Sequence, residues 1–165
     1  SGNLGDHHAA ILGTRMGIVN EIKSDNAPLG DIVEALFAAG VDVHTMRDIT
    51  RGGLATVLKE LAKTSDTTIE LEEEKLPVTP QVKDFCGLLG LDPLYMGNEG
   101  KLVALVPADQ AEKAVEAIRS AKYGEDACIV GYVNDNAPGK LHIRTRIGGL
   151  RNLEVLQGEG LPRIC

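Results

Sequence analysis

VDVHTMRDITRGGLATVLKELAKTS (residues 41–65) predicts a strand, a glycine turn and a helix in direct succession. Apolar and polar residues alternate over 41–46, which is typical of a strand with one buried face. Over 50–65 the apolar residues recur at helical spacing, so one helix face would meet a core through Leu54, Val57, Leu58 and Leu61. The glycines at 52 and 53 allow another backbone or a ligand to approach closely.

Helix-like and strand-like segments alternate on both sides of this stretch. Helices are predicted over 24–40, 79–90 and 108–121, the first with Ser24 or Asp25 as N-cap and an apolar face of Leu29, Ile32, Val33, Leu36 and Phe37. Strands are predicted over 67–74, 127–133 and 140–146, and the apolar run 101–106 indicates a central strand. Residues 8–12 suit a short strand or a helix start, and the pattern fades after 148. This alternation predicts an α/β (α+β) domain with a mixed β-sheet flanked by helices.

The composition limits the size and the partners of this domain. With 165 residues, of which 43% are hydrophobic and only 3% aromatic, the chain can build one aliphatic core. A net charge of -7 argues against nucleic acid or an anionic membrane surface as the main partner. No apolar run reaches the roughly 20 residues of a membrane span. Cys86, Cys128 and Cys165 match no zinc or CxxC spacing, which suits a reducing cytoplasm.

The loop MRDITRGGL (46–54) has two readings. Free N–H groups at the helix start would favour an anion, and Arg47 and Arg51 would reinforce that preference. Alternatively, Asp48 or Thr50 caps the helix, and the glycines only permit tight packing. The local residues favour the second reading.

A second candidate stretch is YMGNEGKL (95–102). In an extended chain Glu99 and Lys101 point to the same side, where the carboxylate between two glycines could act as an accessible base. The alternative is an exposed Glu–Lys pair of little energetic value. The neighbouring His7 and His8 would point to opposite sides of a strand, and no third ligand is nearby, so no metal site is predicted.

The last residues, GEGLPRIC, suggest a movable thiol. We expect a domain over 1–156 and a flexible arm over 157–165 that carries Cys165. From Gly158 the arm could extend about 25 Å. The α-carboxylate of Cys165 disfavours the thiolate, and Arg163 would offset part of that effect.

Several of these stretches together resemble one family. SGNLGDH, SDNAPL, MRDITRGGL, LLGLDPLYMGNEGKLV, IGGLR and LPRIC, in this order, resemble the carboxy-terminal domain of the hydrogenase maturation proteins HypE over essentially all residues. DxTRGGL alone would indicate the wider superfamily of aminoimidazole ribonucleotide synthetase, whose carboxy-terminal domain the fold should then match. One departure is His8, where that family commonly has glycine, and it puts a tight turn there in doubt.

The resemblance implies a reaction and its residues. As a full-length enzyme the family is an ATP-dependent carbamoyl dehydratase that makes the cyanide ligands of [NiFe]-hydrogenase iron. HypF carbamoylates the thiol matching Cys165, ATP activates the carbamoyl oxygen, and dehydration leaves a thiocyanate, with Glu99 in the position of the family's base. The strand–glycine–helix pattern suggests that Asp48, Thr50 or Arg51 contacts the nucleotide.

The resemblance also implies partners and a missing half. The cyano group would pass to the HypC–HypD complex, and the protein would be a cytoplasmic homodimer. ATP with Mg²⁺ would bind mainly to an amino-terminal domain absent from this chain, so the isolated piece is expected to be inactive. Two alternatives stay open: another ATP-dependent kinase or synthetase of the superfamily, or a non-catalytic interaction module when isolated.

Overall fold

A computed structural model describes residues 1–156 of the chain. Within them, five α-helices and six β-strands follow one another along the sequence. The helices are α1 (Asp6–Met16), α2 (Gly30–Ala38), α3 (Gly53–Ser65), α4 (Pro80–Leu89) and α5 (Ala111–Ser120). The strands are β1 (Thr45–Asp48), β2 (Thr68–Glu72), β3 (Leu102–Leu105), β4 (Gly131–Asn134), β5 (Leu141–Arg144) and β6 (Leu150–Leu153). No helix in this part of the chain has the length and apolar character to cross a membrane.

The strands form two sheets. One is a mixed four-stranded sheet in the order β4-β2-β5-β6, with β2 parallel to β5 and the outer pairs antiparallel. The other is an antiparallel pair of β1 and β3. The predicted mixed sheet flanked by helices is therefore confirmed. The prediction that 101–106 forms a central strand is wrong, because β3 pairs only with β1 among the described residues.

Helix α3 builds the main core against the mixed sheet. The apolar residues of α3 recur at helical spacing and lie on one side of the helix. Every second residue of the strands faces the same side, so the two sets pack against each other. The core contains Leu54, Val57 and Leu58 from the helix, and Ile69, Leu71, Leu141 and Ile143 from the strands. Burying a side chain of this size is worth about 1.5–3 kcal/mol, so this layer is a major source of stability.

Helices α2 and α5 cover the two-stranded sheet. Ile32 and Leu36 of α2 are fully buried with Leu102 of β3 and Ile118 of α5. Phe37, predicted on the same face, is 60% exposed. One residue corresponds to about 100° around a helix, which turns Phe37 away from the side that Leu36 buries.

The structure decides three of the predicted boundaries. Residues 8–12 are helical, since they lie inside α1, which packs against α4 in a third small core. Helix α4 begins as predicted, with the Thr79 hydroxyl accepting from Val82 N–H at 3.3 Å and Pro80 in the first position. Strand β6 lies after residue 148, where the predicted pattern of apolar residues fades. Its own alternation of apolar and polar residues is weak, and its register is set by pairing with β5.

Glu70, in the strand predicted over 67–74, is a charged residue that is not exposed to solvent. Its side chain is nearly buried, and Oε1 accepts from the Tyr132 hydroxyl at 2.6 Å and from Arg144 Nη2 at 2.6 Å. The Tyr132 hydrogen bond, with further help from Arg144, holds the pKa of Glu70 below its usual value. The cluster links β2 to both of its neighbours, β4 and β5.

Replacing Glu70 with glutamine should destabilise the fold in a pH-dependent way. A carboxylate with a lowered folded pKa contributes stability that is present above the ordinary value of 4.5 and is lost as the pH falls through the folded value. We therefore expect a lower urea midpoint for Glu70→Gln at pH 7 and a difference that shrinks toward pH 3. Glu74→Gln, which alters an exposed carboxylate near the same strand, is the control. A difference independent of pH would contradict this account.

Candidate functional site

The centre of the candidate site is the buried side chain of Asn98, which is 1% exposed. Its Oδ1 accepts from Gly5 N–H at 2.8 Å, while its Nδ2 donates to the carbonyl oxygens of Met96 at 2.9 Å and Ile49 at 3.2 Å. One amide thus ties together the start of α1, the end of β1 and the loop before β3. We call this meeting of 5–8, 24–27, 48–53 and 95–101 the Asn98 junction.

Glu99 lies at the Asn98 junction and is partly exposed. Its N–H donates to Asp25 Oδ1 at 3.0 Å. Gly100 is required on its other side, because a Cβ there would overlap the main-chain carbonyl oxygen of Asp25. The backbone that carries the Glu99 carboxylate is therefore fixed while the side chain keeps access to solvent.

The predicted alternative of an exposed Glu99–Lys101 pair is wrong. The Lys101 side chain is only 11% exposed, and its Nζ lies 3.6 Å from Asp25 Oδ2. The same ammonium donates to the Gly100 carbonyl oxygen at 3.3 Å. Lys101 thus pairs with Asp25, and Glu99 remains the accessible carboxylate of this loop.

The loop around Asp48, Thr50 and Arg51 is brought next to Glu99 by the backbone. Ile49, between Asp48 and Thr50, accepts from the Asn98 side chain and also from Asn98 N–H at 3.3 Å. A hydrogen bond from Thr50 lowers the pKa of Asp48 below its usual value. Arg51 is exposed. This loop therefore contributes an acid, a hydroxyl and a cation to the Asn98 junction.

Packing explains why residue 53 is a glycine, and no bound ligand is needed to account for it. Its φ is +65°, and a Cβ there would lie 2.5 Å from the Leu94 carbonyl oxygen and 2.7 Å from that of Met96. A side chain is excluded by both the left-handed backbone and the contact. The predicted role of this glycine in close packing is confirmed, and nucleotide contacts by the loop stay a prediction.

The two adjacent histidines have separate surroundings. His7 Nδ1 is 2.8 Å from the Ser24 hydroxyl. His8 is buried, its Nδ1 accepts from Gly97 N–H at 3.3 Å, and burial lowers its pKa. The turn before α1 is made by Gly5, at φ +86°, so His8 stands inside the helix and does not disturb it.

Asn98 and Asp25 are the residues that sequence reasoning missed. Asp25 was a predicted helix cap, but α2 begins only at Gly30, with Leu29 at the N-cap position. Asp25 instead turns inward, and its side chain is 4% exposed. The run Ser24–Asn26 has the composition of a helix cap, and only the contact with the distant Glu99 loop makes Asp25 part of the site.

The last described residues run toward this region along α3. The Tyr95 hydroxyl donates to the Glu154 carbonyl oxygen at 2.8 Å, and Lys59 Nζ lies 3.0 Å from Glu154 Oε2. Leu156 N–H then donates to the Thr56 hydroxyl at 3.4 Å, one turn closer to the start of α3. The predicted arm over 157–165 and Cys165 itself lie outside the described residues.

The cavity at the Asn98 junction does not fit the nucleotide that the family resemblance implies. The cavity beside Asp25 and Lys101 measures about 190 Å³, below the ~300–1,000 Å³ common for ligand pockets. Its lining includes Asp25, Glu125 and Asp126, and these carboxylates would repel a triphosphate. In this part of the chain, no group of three His, Cys, Asp or Glu could hold a metal ion.

Known proteins resemble the chain throughout its length. Residues 1–144 match the family described as AIR synthase related protein, C-terminal domain. Carbamoyl dehydratase HypE of Rhodobacter capsulatus is 44% identical over 167 aligned residues, which cover 100% of this chain and 49% of that protein. The chain therefore spans about half the length of such relatives.

Solved structures agree with the sequence matches. HypE in complex with ATP superposes with a TM-score of 0.93 at 40% identity, covering 99% of this chain and 51% of that one. HypE from a HypE–HypF complex gives 0.88 at 42% identity, covering 94% and 51%. Thiamine monophosphate kinase from Aquifex aeolicus, at a TM-score of 0.55 and 20% identity over 93% of this chain and 50% of that one, shares the fold alone. The chain thus belongs to the family of AIR synthase related carboxy-terminal domains, and along its whole length it matches the carboxy-terminal half of HypE.

Proposed function

We propose that this chain is the carboxy-terminal half of an ATP-dependent carbamoyl dehydratase for [NiFe]-hydrogenase maturation. The observation that carries the proposal is the match to carbamoyl dehydratase HypE, which extends over the whole chain at 44% identity. The Asn98 junction adds chemical support, because it holds an accessible carboxylate, Glu99, on a fixed backbone.

In the proposed reaction Cys165 carries the substrate on its sulfur. A carbamoyl thioester, S–C(=O)–NH₂, loses its oxygen and both nitrogen-bound hydrogens and becomes a thiocyanate, S–C≡N. ATP supplies the phosphoryl group that turns the carbamoyl oxygen into a phosphate leaving group, so ADP and phosphate are the other products. The chain's own residues must then take up the nitrogen protons and limit competing hydrolysis.

Glu99 is the residue that we propose as the general base. A base must reach the proton it removes, so its carboxylate needs solvent access and a stable position. Both conditions are supported by the partial exposure of Glu99 and by the hydrogen bond between its N–H and Asp25. Glu99 would take a proton from the carbamoyl nitrogen as phosphate leaves.

The remaining participants are proposed from the relatives. HypF, found in complex with a HypE in a solved structure, would supply the carbamoyl group, and the HypC–HypD complex would accept the cyano group. ATP with Mg²⁺ would be held mainly by an amino-terminal half, a proposal supported by the chain's coverage of only about half of the relatives that it matches, one of them a HypE in complex with ATP. We further propose a cytoplasmic homodimer, and an isolated piece that is inactive.

The test is the intact mass of the carboxy-terminal peptide of the full-length protein. The protein is incubated with HypF and a carbamoyl donor, and ATP is then added. We expect a carbamoyl group on Cys165, followed by the loss of one water only when ATP is present. An unmodified Cys165, under conditions where the donor system carbamoylates a HypE control, would contradict the proposal.

Replacing Arg51 with alanine tests whether the loop of Asp48, Thr50 and Arg51 contacts ATP. We expect the KM for ATP in the full-length protein to rise about tenfold, because a charge-assisted contact to phosphate would be lost. Arg146→Ala, an exposed arginine in the β5–β6 turn, is the control and should leave the KM unchanged. An unchanged KM in Arg51→Ala would contradict a contact between Arg51 and the phosphates of ATP.

A further inference from the structure

Asp25 stands out because its side chain is buried within an exposed, irregular segment. Residues 18–29 have no regular secondary structure and are mostly exposed, yet the Asp25 side chain is only 4% exposed. Irregular segments longer than about 12–15 residues are uncommon within a domain, and this segment is at the lower end of that length. A buried carboxylate is costly, so a contact that requires it should be identifiable.

Asp25 contacts the Glu99 loop through both its side chain and its backbone. Oδ1 accepts from Glu99 N–H at 3.0 Å. The Asp25 carbonyl oxygen occupies the space where a Cβ of Gly100 would lie. Asp25 therefore contacts the backbone at both Glu99 and Gly100.

The second carboxylate oxygen of Asp25 is paired by charge and makes no hydrogen bond among the described residues. Oδ2 lies 3.6 Å from Lys101 Nζ, beyond hydrogen-bonding distance, and has no hydrogen-bond partner among the described residues. Removing two charges from water often costs as much as their attraction returns, so a buried ion pair is weak evidence for a stabilising role. Violations of local energetic rules are expected where function requires them.

The neighbours of Asp25 fix the segment on α1. The Ser24 hydroxyl is 2.8 Å from His7 Nδ1 and accepts from Asn26 N–H at 3.2 Å. Asp25 therefore projects from a short turn that is tied to the same helix start that Asn98 holds through Gly5. The segment and the Glu99 loop share one rigid base.

We infer that Asp25 is a positioning residue for Glu99, which it acts on by holding the Glu99 backbone within the Asn98 junction. The inference rests on the proposed function, in which Glu99 is the general base. A shift of about 1 Å in a catalytic group can cost a rate of the order of 100-fold, so a fixed backbone at this point matters for the reaction. Supporting hydrogen bonds of this kind hold reactive groups in their productive geometry.

Two substitutions at Asp25 separate the effect of side-chain length from the effect of charge. Asp25→Asn keeps the acceptor oxygen at the same distance and removes the charge, whereas Asp25→Glu keeps the charge and moves the oxygen by one methylene. Both are made in the full-length protein, together with Asp25→Ala and with Asp84→Ala, an exposed aspartate on α4, as the control. Cys165 is carbamoylated first, and the rate of ATP-dependent water loss is then followed by mass.

Positioning predicts a specific order of rates. Asp25→Asn should dehydrate within about threefold of the wild type, while Asp25→Glu and Asp25→Ala should be slower by about 10- to 100-fold. Carbamoylation and the KM for ATP should not change in any variant. The opposite order, with Asp25→Glu active and Asp25→Asn slow, would assign Asp25 an electrostatic role and overturn the inference. An equal decrease in carbamoylation and dehydration would also overturn it, since it would indicate a general loss of structure.

Amide hydrogen exchange gives a readout that does not depend on activity. The peptide spanning residues 95–101 should exchange faster in Asp25→Ala and Asp25→Glu than in the wild type, and Asp25→Asn should retain protection. Unchanged exchange in all three variants would overturn the inference even if the rates fall. A wild-type protein that carries a carbamoyl group but never loses water would instead contradict the proposed function, and exchange would still report on the contact.

Discussion

Glu99→Gln is expected to lower the rate of ATP-dependent dehydration at Cys165 by about 10²- to 10⁴-fold, the usual contribution of a general base. Glutamine is nearly isosteric, so the hydrogen bond from the residue 99 N–H to Asp25 and the packing of Gly100 should persist. What disappears is a group able to accept a proton from the carbamoyl nitrogen. The full-length variant, carbamoylated at Cys165, should therefore accumulate the carbamoyl form after ATP is added, as measured by intact mass.

The control for this variant is Glu116→Gln, which changes an exposed carboxylate on α5, away from the Asn98 junction. It should dehydrate at the wild-type rate. Carbamoylation by HypF should be normal in both variants, because that step does not require a base at residue 99. A Glu99→Gln protein that forms thiocyanate at the normal rate would remove Glu99 from the proposed mechanism.

Gly100→Ala is expected to have the largest structural effect among simple substitutions at the site. The new methyl group would overlap the main-chain carbonyl oxygen of Asp25 and would lie 3.0 Å from the Ala27 Cβ. The Asp25 segment or the Glu99 loop must move, with loss of the Glu99–Asp25 hydrogen bond. We expect the free energy of unfolding to fall by about 3 kcal/mol, measured by urea denaturation.

Gly87→Ala is the matched control for that substitution. Gly87 lies within α4, and a Cβ there would meet nothing within 4 Å. Because alanine has the higher helix propensity, this variant should be more stable than the wild type by about 0.5–1 kcal/mol. If Gly100→Ala did not lower the free energy of unfolding, the close contact between Asp25 and Gly100 would not exist in solution.

The elements that could be predicted from sequence are those whose own residues repeat regularly. Helix α3 was predicted through Leu54, Val57 and Leu58, and α4 was predicted over 79–90, where the structure has a helix over Pro80–Leu89. Boundaries were wrong where the signal was local and ambiguous. The pair Ser24–Asp25 has the composition of a helix cap, but the helix that it seemed to begin starts at Gly30.

Prediction also reached the candidate site in part. Glu99 and the Asp48–Arg51 loop were selected from glycines that flank functional groups, and the structure joins their backbones through Asn98 and Ile49. The roles of these side chains stay predictions. Asn98 and Asp25 could not be selected in the same way, since nothing around either residue in the chain shows that its side chain is buried.

The order and type of most elements, the aliphatic core and the similarity to one family could be read from the amino-acid sequence. These follow from short-range periodicity and from motifs that can be read along the chain. Three features follow only from the packed structure: β3 pairs with β1 outside the mixed sheet, the buried Glu70 carboxylate pairs with the exposed Arg144, and Asp25 contacts the Glu99 loop. The physical reason is that each of these contacts joins residues far apart in sequence, and its partner is fixed only when the packed layers bring the segments together.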